Sequence, residues 1–243
     1  PDLPAREWLA ALIAVAYLFN YGLESANMFD FHAQTMAGTF LLFAFHYLLE
    51  RRLWPFLAFA VLAAITKEGT ALAVAMMGLY VLLIERRPRW GVPVFLASLA
   101  YFFLIVKVVI PAFNVGGTSR LVEERFGEVG SSVGEVLVTA VTDPLFVLSH
   151  ALSGNNVAYL VDLLGLGGVV AVLAPHVLLI PLPELAINLL SNRPQMSSVY
   201  YHYSAPIIPF VYLASAAGLN NLCWLLLRWR NRASAGRSRR VSE

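Results

Sequence analysis

Apolar and polar positions alternate along this chain in long blocks, not in the short periods of a soluble helix or strand. Eight apolar runs can be drawn: Trp8–Leu23, Met36–Glu50, Leu53–Thr66, Gly69–Glu85, Gly91–Ile110, Val157–Ala174, His176–Ser191 and Ala205–Leu227. About 20 apolar residues of helix cross a bilayer core, while roughly 10–14 suit an interfacial or re-entrant piece. The pattern predicts an all-α polytopic membrane protein of about eight transmembrane or re-entrant helices. The sixth and seventh runs, parted only by the uncharged Ala174–Pro175, are either two spans or two halves of one re-entrant element.

Residues 111–156 break the pattern. Gly and Ser positions around Asn114–Ser119 open a loop, Glu123, Glu124, Arg125 and Glu128 follow, and an amphipathic stretch runs from Val133 to Leu152. Such a stretch suits a helix lying on a membrane surface. The organisation predicted is therefore 1–110 N-terminal membrane helices, 111–156 an extracytoplasmic loop with an amphipathic helix, 157–227 C-terminal membrane helices and 228–243 a basic cytoplasmic tail. The chain begins at Pro1 without a signal-peptide layout, which reads as a fragment lacking an N-terminal part.

Charge gives the blocks a direction. Of 17 Lys and Arg residues, 12 fall at Arg6, Arg51–Arg52, Arg86–Arg89 or the tail from Arg228 to Arg240, at every second break between runs. Basic residues are retained on the cytoplasmic side, so both termini are expected there, in a cytoplasmic (inner) membrane. Tyr80, Trp90, Tyr101, Trp224 and Trp229 near run ends fit an interfacial aromatic belt. Composition agrees: 59% hydrophobic and 13% charged residues, against about 25% charged in a soluble domain. Basic residues dispersed between apolar helices argue against nucleic acid as a partner. The lone Cys223 excludes an intramolecular disulfide and a thiol metal site.

The chemistry-bearing residues collect at the opposite breaks. Asp30 and His32, two apart in an extended stretch, point to one side and can share a proton or a metal ion. Lys67 and Glu68 form the tip of a hairpin between two short runs; Lys67 suits a lipid phosphate, and Glu68 a hydroxyl or a cation. Arg193 and the run Tyr200-Tyr201-His202-Tyr203 open the last apolar run, with rings able to stack on a sugar. Lys107 lies about one turn inside its run, where snorkelling competes with phosphate binding. Glu184 lies deeper and needs a polar partner within the bundle; Asp162 lies nearer the outer face. His46, His150 and His176 carry no partner pattern and are assigned to packing or the interface. No Walker loop, nucleophile elbow, HExxH or CxxC occurs. Asp30, Glu68 and His202 are thus the candidate catalytic groups. His32, Lys67, Lys107, Arg193, Tyr200, Tyr201 and Tyr203 are the candidate substrate-binding groups. No metal ligand set is assigned; the cofactor is unknown, with a divalent cation compatible.

Five ordered blocks, FDFHAQTMAG, AAITKEGTALAVAMMGLYVLL, KVVIPAFNVGG, IPLPELAINLLS and SSVYYHYSAPIIPFVYLA, resemble a bacterial membrane-protein family, the domain of unknown function DUF2079. That family is similar in turn to the GT-C superfamily of polytopic glycosyltransferases. The resemblance implies a GT-C-like fold and transfer of a sugar from a polyprenyl-phosphate donor outside the cytoplasmic membrane, with the donor and membrane lipid as partners. In GT-C proteins an acidic residue of the first outer loop serves as base or metal ligand, and that loop is expected to precede Pro1. The alternatives are a transporter or flippase of a lipid-linked substrate and a non-catalytic membrane scaffold. An internal repeat, which transporters often show, is not apparent in the chain.

Overall fold

The computed structural model describes residues 3–28, 30–113 and 117–241, and among them every regular element is a helix. Two helices open the chain, α1 (Leu3–Leu18) and α2 (Tyr21–Met28). Three short antiparallel helices follow, α3 (Ala33–Leu49), α4 (Leu53–Thr66) and α5 (Thr70–Leu83). Next comes α6 (Pro88–Leu104), continued by a π-helical stretch, Ile105–Val109, into α7 (Ile110–Phe113). The middle of the chain forms α8 (Gly117–Phe126), α9 (Val133–Thr142) and α10 (Pro144–Ala151). The last part comprises α11 (Asn156–Gly167), α12 (Pro175–Leu178), α13 (Leu182–Leu189) and the long α14 (Ile208–Val241).

Glu7–Met28, Pro88–Phe113 and Ile208–Arg230 are long and apolar enough to cross a membrane, and the bent pair α9–α10 would make a fourth span. The chain is a multi-pass membrane protein on this ground. The eight expected runs do not all become continuous spans. Leu53–Thr66 is a helix with the expected bounds, but at 14 residues it is short for a crossing. The run 157–174 ends its α-helix at Gly167, because Gly168 adopts φ +90 and a 3-10 turn, Val169–Leu173, follows. The run 176–191 is cut by prolines into α12, of 4 residues, and α13, of 8, since a proline ring cannot sit inside a helix without losing a backbone hydrogen bond. The amphipathic stretch 133–152 bends by 107° between α9 and α10. There Asp143 caps α10 through Phe146 N–H and Pro144 occupies its first turn. Residues Asn114–Gly116 of the expected loop, and the tail side chains beyond Arg230, lie outside the described part.

The core lies where α3, α4 and α5 meet α11, the 3-10 turn, α12 and the first half of α14. Leu41, Phe56, Met77, Leu163, Ile180 and Phe210 are all buried there. The buried positions of α3 include Gln34, Ala37, Gly38, Leu41, Ala44, Phe45 and Leu48, one face at helical spacing. Close approaches are made by small residues, as is usual between membrane helices. A Cβ on Gly91 of α6 would come within 2.6 Å of the Gly78 carbonyl oxygen of α5. A Cβ on Gly38 would come equally close to the carbonyl oxygen of Ala205. That second contact holds the segment 202–205 against α3 and places the residues described next.

Candidate functional site

Antiparallel packing puts the start of α3, the end of α4 and the start of α5 at one end of the bundle. His32 precedes α3 in an extended conformation and makes no side-chain cap. Its Nδ1 instead lies 2.7 Å from the backbone carbonyl of Asp30. The His32 ring stacks on His202, with centroids 3.7 Å apart and planes 11° from parallel. His202 in turn lies against Tyr203, 4.2 Å between centroids. Burial first, then the His32 ring and the Lys67 charge, pulls the His202 pKa down to about 4, so the ring is neutral at pH 7.

Lys67 sits between these rings and the carboxylates. Its ammonium donates to Gln34 Oε1 at 2.9 Å and lies 4.9 Å from the centroid of Tyr203, a cation–π distance. Burial lowers its pKa, and the fields of Glu184 and Glu68 push the other way. A desolvated ammonium of this kind gains much from a second anionic partner.

Behind Lys67 lies Glu184, which is 1% exposed. The carboxylate rests against Gly69, where an added Cβ would meet Glu184 Oε1 at 2.5 Å. Neither oxygen accepts a hydrogen bond among the described residues, and Gln34 Nε2 and Asn188 Oδ1 are buried in the same unsatisfied state. Asn188, one turn along α13, donates to Tyr159 Oη at 3.2 Å and to the Tyr203 carbonyl at 3.1 Å. Tyr159 also bonds Ser204, 3.0 Å between oxygens, and the Ser204 hydroxyl donates to the Ser198 carbonyl at 3.1 Å. This network fixes the loop that carries His202 and Tyr203.

The residues singled out in the sequence divide accordingly. His32, Lys67, His202 and Tyr203 converge. Asp30 enters through its backbone carbonyl, while Glu68 acts on Lys67 and Glu184 through its charge. Arg193 stands apart, paired with Glu124 at 3.4 Å. Lys107 is exposed on the π-helical stretch. Tyr200, 59% exposed, packs against Tyr21 at 5.8 Å, and Tyr201 lines a cleft on the other side of the same loop. Among the described residues no group of three or more His, Cys, Asp or Glu is placed to hold a metal ion. Asn188, within an apolar run, and Gln34, just ahead of one, are not marked by charge in the sequence because an amide is uncharged. The spacing of Glu184 and Asn188 by four residues does put them on one helical face.

The profile of the family described as a predicted membrane protein (DUF2079) matches residues 2–236. The chain belongs to that family. No curated protein and no solved structure matches it.

Proposed function

We propose that this DUF2079 member is a glycosyltransferase-like enzyme taking a sugar from a polyprenyl-phosphate donor at the extracytoplasmic face of the inner membrane. The observation that carries the reading is the convergence of Lys67, Glu184 and the His32–His202 stack from four separate stretches of chain. Transfer needs a cation where the lipid phosphate departs and a group that takes the acceptor's proton. In this reading Lys67 neutralises the phosphate. His202, neutral at pH 7, takes the proton from an acceptor hydroxyl as its oxygen attacks the anomeric carbon. The bond to the phosphate breaks, and the electron pair leaves with the lipid phosphate. Asp30 and Glu68 flank this path; Lys107, Arg193, Tyr200 and Tyr201 belong to the approach of the lipid and acceptor. The short helices α3, α4, α5 and α11 are read as membrane-inserted, for about eight segments in a GT-C-like arrangement with both ends cytoplasmic.

A second reading, a transporter of a lipid-linked substrate, is favoured by the break between α11 and α13, since transporter sites often use discontinuous helices. One experiment separates the two. The full chain in liposomes is given labelled polyprenyl-phosphate sugars, and lipid-phosphate release is measured for wild type, Lys67→Met and His202→Ala. Release lost in both correctly inserted variants supports transfer. Movement of uncleaved label across the sealed bilayer would replace transfer with transport.

A further inference from the structure

The loop that carries His202 and Tyr203 has two faces of unlike chemistry. One presents those rings to Lys67. The other closes a cleft of about 310 Å³ lined, among others, by Asn155, Tyr159, Asp162, Gln195, Ser197 and Tyr201. That volume lies at the small end of ligand pockets and suits one or two hexose rings. Asp162 is the one charged side chain in the lining, and neither Lys nor Arg contributes to it. A carboxylate with no cation beside it disfavours phosphate by like-charge repulsion, whereas it accepts readily from hydroxyl groups. The amides of Asn155 and Gln195 and the hydroxyl of Ser197 both donate and accept, as a polyol requires. Tyr201 supplies a ring for the apolar face of a sugar.

The floor is rigid. Tyr159 is 2% exposed, and its hydroxyl is held by Asn188 and Ser204, the network that positions His202 on the opposite face. A wall already ordered before the ligand arrives reduces the entropy lost on binding.

We propose that this cleft binds an uncharged, hydroxyl-rich ligand, a mono- or disaccharide unit, through Asp162 and Tyr201. It goes beyond the transferase reading: the cleft is a subsite that holds part of a saccharide away from the reacting groups, across the loop from Lys67 and His202. The binding itself requires no turnover, so it can be tested separately. Saturation-transfer NMR on the full chain in nanodiscs, with neutral hexose disaccharides as probes and inorganic phosphate as the anionic control, reads the site directly. Disaccharide signals are expected, weakened about tenfold in affinity by Asp162→Asn or Tyr201→Ala, the worth of one hydrogen bond to a charged group. Lys67→Met should leave them in place. Both cleft side chains lie at the surface and can be changed without disturbing the core, and retained elution as a single species verifies that. No saturation transfer to any disaccharide, signals that survive both substitutions, or phosphate binding in their place would overturn the assignment. Absence of lipid-phosphate release by the wild-type chain, with disaccharide binding intact, would count against the transferase reading and leave the cleft standing.

Discussion

Lys67 and Lys107 are both lysines beside apolar helices, yet they live in opposite surroundings. Lys67 lies where three short helices lean on α13 and the 198–204 loop, and it has an amide, a ring and two carboxylates around it. Lys107 lies on a helix of which only 6% is buried inside the protein, and it is exposed. A cation on a bare membrane helix is best served by reaching for the interface, whereas one enclosed by protein must be compensated in place. The lesson is that short helices unable to cross alone can enclose charge, because their ends meet inside the protein. The long exposed helix offers no such enclosure.

That contrast can be broken or sharpened by substitution. The largest effect is expected from Lys67→Met, which strips Glu184 of its main compensating charge. Losing the charged hydrogen bond to Gln34 costs about 1.5–3 kcal/mol, besides the field on Glu184. Pairing it with Glu184→Leu should recover much of the loss in denaturant unfolding in micelles; additive losses would show that the two charges do not support each other. Gly69→Ala is next. Its methyl would press on the Glu184 carboxylate, 2.5 Å from Oε1, for about 1–3 kcal/mol of overpacking. The same change should be nearly silent in a Glu184→Ala background.

The pH effect is smaller and has a definite sign. His202 titrates at about 4 in the folded chain against 6.5 for an ordinary histidine. The unfolded state therefore binds more protons between those values, and stability rises with pH across that window. It is complete above about 6.5 and lost as pH falls toward 4. His202→Gln should flatten that part of a melting-temperature profile relative to wild type, and an unchanged slope would assign the dependence elsewhere. Lys107→Gln should change stability by less than about 0.5 kcal/mol; a larger loss would mean that the bare helix encloses charge after all.

Much of the helical layout could be read from the run lengths and the basic clusters. The α3–α4–α5 hairpins follow from apolar runs punctuated by Arg51–Arg52 and Lys67–Glu68, and the bounds of α4 coincide with its run. The region after Gly168 could not be read in this way. Its hydropathy resembles that of a span, and only the backbone conformation of Gly168 and the spacing of Pro175, Pro181 and Pro183 break it. His32, Lys67, His202 and Tyr203 were legible as candidates because polar and aromatic groups stand out at run ends. Their stacking was not, since it depends on Gly38 letting the 202–205 backbone approach α3. Arg193 shows the limit of reading charge by position: its partner, Glu124, is 69 residues away.

The two tight turns of the α3–α6 region share an unusual choice. Arg51 and Arg86 have φ of +61 and +55, a backbone state that an arginine adopts at a cost of roughly 1 kcal/mol relative to glycine. On the orientation proposed above, each residue both closes a turn and adds positive charge to a cytoplasmic break. Glycine at either position would relax the turn and remove that charge. Under that proposal, relieving the backbone at these two sites would trade a topological signal for a small gain in stability.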